Sequence, residues 1–376
     1  MIELATTLQG QPIQNRIRQA GINPNYWYPV AWAHQLAPGK VLAASVWQQK
    51  IAAYRDLEGH LHALEDACPH KGVALHLGEV QGGNLTCPYH GWQFDGEGNC
   101  VHIPYFPPDQ KLPCAIARSY PIQEQYDILW VFPGAPELAA QVSLPSVPEY
   151  GNPAWFMVRI PNQFQAHFSI CNENAMDVFH GFLHKGLQGW FDPVLKKLRQ
   201  TPQDIEADYQ VSYRQNFLAK VLGLTSPGNS VATRTVSIHY QYPHFHSSLE
   251  GVSSLYLMRL PVESNVTRSF SLMFLKLPLP AWMYQPPVGH WLEAAVLRLI
   301  FQRFVAQDAE MVASEQCSYE NNPERHYVEV NPAILALQRV IIGQYEQFVQ
   351  QSKGHLSQIN GDQTSSLLTA EAISFP

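Results

Sequence analysis

The sequence contains no stretch of 18 or more apolar residues, so no helix of membrane-spanning length is expected. It also has no run of Lys and Arg, and its formal net charge is -7. Nucleic acid binding needs clustered positive charge to replace counterions, so no nucleic-acid partner is expected. Cysteine is scarce: Cys68, Cys87, Cys100, Cys114, Cys171 and Cys317 are too few and too scattered to form a disulfide framework. The first residues lack a basic segment followed by an apolar run, so no signal peptide is read. No internal repeat or low-complexity tract breaks the chain. Two of the cysteines sit beside histidines in a metal-like pattern, so a reducing, cytoplasmic compartment is expected. With 376 residues and 46% hydrophobic content, the protein has enough chain and enough apolar surface for about two cored domains.

Residues 1–24 are polar and read as an N-terminal arm. From Asn25 to Gly134 short strand-like runs such as Val41–Trp47, Lys50–Arg55 and Ile128–Phe132 alternate with glycine-rich turns. Asp95-Gly96-Glu97-Gly98 reads as a hairpin turn between Trp92–Phe94 and Cys100–Ile103. This gives an all-β unit over 25–135, with 136–150 as a linker. The second unit, 136–352, alternates strand candidates at Trp155–Ile160, Asp204–Gln215, Val231–Tyr242, Ser253–Leu260 and Ser269–Leu275 with helices at 171–185, His290–Cys317 and Pro332–Gln350. The fold class is therefore α+β, with an antiparallel sheet and helices in the second domain. Residues 353–376 read as a loose tail.

Two segments of the first domain have metal-ligand character. Cys68-Pro69-His70-Lys71-Gly72 is followed by Cys87-Pro88-Tyr89-His90-Gly91-Trp92. Two thiolates and two imidazoles satisfy a tetrahedral zinc site. They equally suit a [2Fe–2S] cluster with cysteines on one iron and histidines on the other, because each loop supplies one of each. Cys100 and Cys114 lie outside the loops and read as core residues; His60, His62, His76 and His102 read as structural.

The second domain opens on Asn172-Glu173-Asn174-Ala175-Met176-Asp177-Val178-Phe179-His180-Gly181-Phe182-Leu183-His184. On a helix, Asp177, His180 and His184 would fall within about 60° of one another. Ala175, Val178, Phe179, Phe182 and Leu183 would point the other way, into a core. Alone, the pattern also describes a surface helix that carries two histidines.

Together these segments resemble the Rieske non-haem iron oxygenases over about 25–350. The Cys-Pro-His-Lys-Gly and Cys-Pro-Tyr-His-Gly-Trp loops are similar to the cluster-binding loops of Rieske proteins, with Lys71 where many members carry Arg. Asp-x-x-His-x-x-x-His is similar to the family's mononuclear iron motif. The resemblance implies that Cys68, His70, Cys87 and His90 hold a [2Fe–2S] cluster and that His180 and His184 bind iron(II). It implies a helix-grip-like catalytic domain behind the Rieske domain. Asp308 is the third ligand by both resemblance and position: it sits among Phe301, Phe304, Val305, Met311 and Val312 at helical spacing, where an unpaired carboxylate is costly. An Asp308–Arg303 pair is the bland account, and Glu315 the rival ligand.

By the same resemblance Asp177 bridges His180 to His90 of a neighbouring subunit, which implies a ring of subunits, usually three; Asn174 lines the iron site. Electrons ultimately from NAD(P)H would arrive through a ferredoxin or flavin reductase partner, with O2 as co-substrate. The single-chain layout and the opening Asn25-Tyr26-Trp27-Tyr28-Pro29-Val30-Ala31 resemble the vanillate demethylase-like and chlorophyllide or pheophorbide oxygenase-like branch. That implies hydroxylation or oxidative demethylation of an aromatic or bulky apolar small molecule. Alternatives are aromatic cis-dihydroxylation, or an iron–sulfur carrier whose second site is inactive. The segment 275–304, rich in Leu, Pro, Trp, Met, Tyr and Phe, reads as a pocket wall, a peripheral membrane contact or ordinary core.

Overall fold

The computed structural model describes residues 12–107, 109–184, 190–214 and 231–367. The arm's first eleven residues and the end of the tail, 368–376, lie outside the described residues. What is described of the arm includes a short helix, α1 (Ile13–Gln19).

The N-terminal region consists of three small antiparallel sheets. One pairs β1 (Tyr28–Trp32) with β10 (Ile128–Val131) and β9 (Ile122–Gln125). The second is the meander β2 (Lys40–Val46), β3 (Gln49–Arg55) and β4 (Leu61–Glu65). The third runs β5 (Glu79–Gln81), β6 (Asn84–Thr86), β7 (Gln93–Phe94) and β8 (Cys100–His102). The expected hairpin after Phe94 is present: the Asp95 N–H donates to the Asn99 carbonyl, and Gly98 sits at φ +85°. The 136–150 segment is not a free linker. Trp27 Nε1–H donates to the Val142 carbonyl, and the Val147 N–H donates to the Tyr126 hydroxyl.

The second region is a seven-stranded antiparallel sheet in the order β11-β17-β16-β15-β14-β13-β12. Its strands are β11 (Phe156–Phe164), β12 (Trp190–Gln200), β13 (Asp204–Arg214), β14 (Val231–Gln241), β15 (His244–Leu249), β16 (Ser253–Glu263) and β17 (Val266–Leu275). The strands anticipated from sequence fall here, whereas β12 and β15 do not announce themselves. β12 is an edge strand containing Pro193 and a mostly exposed Lys196-Lys197-Leu198-Arg199 run, so it lacks clear alternation.

α2 (Phe168–Met176) precedes the edge of this sheet. α3 (Val288–Val296), a π-helical turn at Leu297–Phe301 and α4 (Gln302–Asn321) form the expected long helix, and α5 (Pro332–Leu367) follows. α5 runs well past Gln350, so most of the supposed tail is helical.

The two regions share one core. Trp32 of β1 meets Phe270 of β17 with ring centroids 5.3 Å apart, and His244 Nε2–H donates to the Trp27 carbonyl at 3.0 Å. At the β2–β3 turn Trp47 and Gln48 adopt φ of +47° and +69°. That left-handed backbone costs about 1–2 kcal/mol per residue. It is offset where their N–H groups reach the Pro261 and Val262 carbonyls of β16 at 2.7 and 2.8 Å.

Candidate functional site

The two Cys–His loops fold in the same way. In each, the cysteine N–H donates to the carbonyl five residues on, Val73 in one and Trp92 in the other. In each, the cysteine carbonyl accepts from a glycine N–H four residues on: Gly72 at 2.7 Å and Gly91 at 3.1 Å. Both glycines lie at φ near +70°, a conformation that explains their place in each motif. A Cβ on Gly91 would come within 2.8 Å of Pro104.

The latches turn the sulfurs inward and the imidazoles outward. Cys68 and Cys87 are each only 3% exposed. The His70 and His90 rings, both exposed, lie side by side at 4.7 Å, and His70 stacks on Trp92 at 4.6 Å. Burial pushes the Cys68 thiol up to about 11, with Cys87 beside it, although the N–H groups of His70 and Lys71 are aimed at its sulfur. Two adjacent buried thiols with backbone donors are poised for a cation that converts them to thiolates. Desolvation, then the neighbouring His90 and Lys71, hold the His70 imidazole below its usual range and so neutral. The four side chains fit a two-iron cluster. Cys100 is partly exposed and Cys114 exposed, so the reading of Cys114 as core is corrected: it lies on the surface, outside the tied loops.

The second constellation is reached differently from the way the sequence suggests. The expected continuous helix over 171–185 breaks at Asp177, which takes extended backbone angles, φ -86° and ψ 105°. A 3₁₀ segment, Val178–Phe182, follows, and the Asp177 carboxylate caps it by accepting the Phe179 N–H at 3.0 Å. The break reorients the apolar side chains: Val178 is buried, but Phe179 and Phe182 are exposed. It also lets His180 and His184 converge on Asp308 of α4. The three offer ligand atoms that all lie within 4.8 Å of one another.

Their hydrogen bonds set the tautomers. His184 Nδ1 lies 2.8 Å from Gln307 Oε1, which can only accept, so Nδ1 carries the proton. His180 Nδ1–H likewise donates to the Asp177 carbonyl. Each ring is left with a bare Nε2, and these face Asp308 Oδ1 at 3.1 Å and 3.9 Å. Lone pairs pointed at a carboxylate repel unless a cation lies between them. Two histidines and one carboxylate are the donor set of a non-haem iron(II) site. Although burial opposes it, the Asp308 carboxylate and Gln307 together raise the His184 pKa.

Asn174 Nδ2–H donates to Asp308 Oδ1 at 3.3 Å and so steadies the carboxylate. Glu315, the rival ligand, is elsewhere: it pairs with Arg18 at 2.9 Å, beside the Arg18–Glu173 pair at 2.7 Å. Asp308 pairs with the histidines rather than with Arg303. Sequence reasoning missed Gln307 as the acceptor for His184. It also missed Asn331, whose Nδ2–H donates to Asp177 Oδ1 at 3.1 Å. Amides carry no spacing signal, so only the fold reveals them.

His180, His184 and Asp308 border a cavity of about 560 Å³ between the sheet and the α3–α4 helix. Its walls are mainly aliphatic and aromatic, with Ile238, Leu255 and Met273 on the sheet and Val296, Phe301 and Phe304 on the helices. This volume is typical of small-molecule sites. Of the segment 275–304, one side lines the cavity; on the other, Trp282, Trp291 and Leu299 are exposed.

Residues 26–121 match the family model described as Rieske [2Fe-2S] domain. The chain is 32% identical over 346 residues to the 4β-methylsterol monooxygenase of Methylococcus capsulatus, covering 90% of this chain and 93% of that protein. It is 35% identical over 168 residues to the cholesterol 7-desaturase of Xenopus laevis, covering 43% of this chain and 36% of that one. The crystal structure of dicamba monooxygenase bound to 3,6-dichlorosalicylic acid superposes with a TM-score of 0.69 at 22% identity, over 89% of this chain and 99% of that one. At that identity the likeness shows the fold alone.

Proposed function

Because this chain belongs to the Rieske non-haem iron oxygenases, we propose that its cavity takes a bulky, apolar, fused-ring substrate, of sterol-like shape, for hydroxylation or oxidative demethylation. As a member of that family it is an oxidoreductase of the monooxygenase type. It carries a [2Fe–2S] cluster and a mononuclear iron, and it serves as the oxygenase component of a system supplied with electrons by a separate donor protein. The single observation behind the substrate reading is the mainly apolar cavity of about 560 Å³ that opens onto His180, His184 and Asp308. A relative acting on a methylsterol along nearly its whole length supports the same class.

The residues divide the work by position. Cys68, Cys87, His70 and His90 would hold the cluster, and His180, His184 and Asp308 the iron. When bound, these groups supply electron transfer and the activation of O2. Gln307 and the Asp177 carbonyl fix the two imidazoles by accepting their Nδ1 protons. Asn174 holds Asp308, and the aliphatic walls exclude water and orient the substrate.

Electron entry would use Asp177. Among the described residues, the Phe179 N–H and Asn331 Nδ2–H both donate to Oδ1, so Oδ2 would be the oxygen offered to a donor outside the chain. His90 of a neighbouring copy, exposed on its own loop, suits that role and implies a ring of subunits, usually three. No helix among the described residues is long and apolar enough to cross a membrane. Trp282, Trp291 and Leu299 would let the protein rest on a lipid surface beside the wall of its own pocket. Incubation with reductant, donor protein and O2 tests the substrate reading, with products compared between methylsterols and small methoxybenzoates. Turnover confined to the methoxybenzoates would overturn it.

A further inference from the structure

Arg259 is a buried cationic side chain in a cavity whose walls are mainly apolar. It sits on β16, is only 3% exposed, and lines the pocket. Register places Ser269 directly opposite it on β17, and Ser269 is in turn opposite Asn162 on β11. These polar side chains form one row across three strands; the next rows toward β17's end pair Leu257 with Ser271, whose hydroxyl is hydrogen-bonded to that of Ser269 at 3.0 Å, and then Leu255 with Met273.

The guanidinium has few partners. One Nη–H group donates to the Cys171 carbonyl at 3.1 Å, the Phe164 ring lies 5.1 Å from its central carbon, and the buried Nε–H has no hydrogen-bond partner. A buried cation normally acquires a carboxylate, because desolvation is otherwise uncompensated. Here desolvation does depress the Arg259 pKa, and Asp308 is the carboxylate whose field reaches it. That carboxylate already faces the bare Nε2 atoms of His180 and His184. The cavity's other carboxylate, Asp177, is held by Asn331 and the Phe179 N–H. A divalent ion at the triad would more than consume the Asp308 charge, and this end of the pocket would then be net positive.

We propose that Arg259, with Ser269 and Asn162 beside it, is a binding site for an anionic group on the substrate, a carboxylate carried by an apolar fused-ring body. The carboxylate would neutralise Arg259 and accept its spare N–H donors, while the hydrocarbon fills the aliphatic part of the cavity. This orients the molecule with its polar end beside the iron residues and makes the ring positions next to that group the ones exposed to oxidation. The inference rests on the cavity being the oxygenase's substrate site.

The test uses the full-length protein with both metals, and cholanic acid and its methyl ester as probes, with affinity measured by titration calorimetry. The two share a ring system and differ in charge. The acid is expected to bind the natural protein about tenfold or more tighter than the ester, the range of a charge-assisted hydrogen bond. Arg259→Gln should erase that preference and leave ester affinity unchanged; Arg259→Lys should keep part of it. Equal binding of acid and ester to the natural protein, or a preference that survives in R259Q, overturns the proposal. Parallel loss of acid and ester binding in R259Q, with a lowered melting temperature, assigns Arg259 a purely structural role and overturns it too. Binding of neither probe to the natural protein refutes the fused-ring reading itself, and the proposal falls with it.

Discussion

In the loops at 68–72 and 87–91 the sulfurs are buried and the imidazoles stand in solvent. At the His180–His184–Asp308 triad the imidazole of His184 is buried at 2% exposure, and the group faces a mainly apolar cavity. The loops are local: their latches span five residues and need only a correctly placed glycine. The triad is non-local, since the segment after α2 meets α4 although His184 and Asp308 are 124 residues apart in the chain. A site meant to exchange electrons with a partner benefits from exposed ligand edges. A site meant to oxidise hydrocarbon benefits from excluding water. Each construction suits the role proposed for it, and each should fail in its own way.

The sharpest break is Asp308→Ala. Iron content should fall from about three to two per chain while the visible cluster spectrum persists, and turnover should drop by more than the 10–100-fold typical of an outer-shell change. If cluster absorbance disappears too, the sites are not separately built. Asp177→Asn should leave both metals in place yet reduce turnover about tenfold or more. Full turnover in that variant would remove Asp177 from the electron path. For Gln307→Leu, which deprives His184 Nδ1–H of its acceptor, iron affinity should weaken about 10–100-fold with cluster content unchanged. Competition with a chelator measures it.

The contact between the two regions should titrate. His244 is buried between them, and burial lowers its pKa to about 4 despite its bond to the Trp27 carbonyl. The unfolded chain takes up a proton below pH 6.5 that the native chain refuses. Stability is therefore intact above that pH and falls as pH drops from about 6.5 toward 4. At pH 5.5 the loss attributable to His244 is about 1.4 kcal/mol relative to pH 7.5. Denaturant unfolding of His244→Phe at the two pH values should show a slope shallower by that amount. An effect of similar size belongs to one loop: Gly72→Ala, at φ +70° with open space around its Cβ, should cost about 1–2 kcal/mol and loosen cluster retention, leaving mononuclear iron untouched.

The same contrast explains what the sequence discloses. The Cys–His loops are legible because ligand and latch lie within six residues, so spacing carries the geometry. His180, His184 and Asp308 are legible as residues but not as an arrangement. Helical periodicity predicted one continuous face, while Asp177 stops the helix and turns Phe179 and Phe182 outward. Asn331, Gln307 and Arg259 carry no local pattern, because their roles come from elements that meet only in the folded chain. β12 is hidden for a related reason: an edge strand with a proline, and with Lys196 to Gln200 exposed on both faces, has no strict alternation to read.

Asn331 has a consequence for how motion spreads through the molecule. Its Oδ1 accepts the Ala333 N–H at the start of α5 and the Tyr209 hydroxyl of β13, while its Nδ2–H holds Asp177. One amide thus joins a 36-residue helix, the large sheet and the aspartate three residues before His180. Displacing the start of α5 would therefore pull on Asp177 through this amide and not through the cavity.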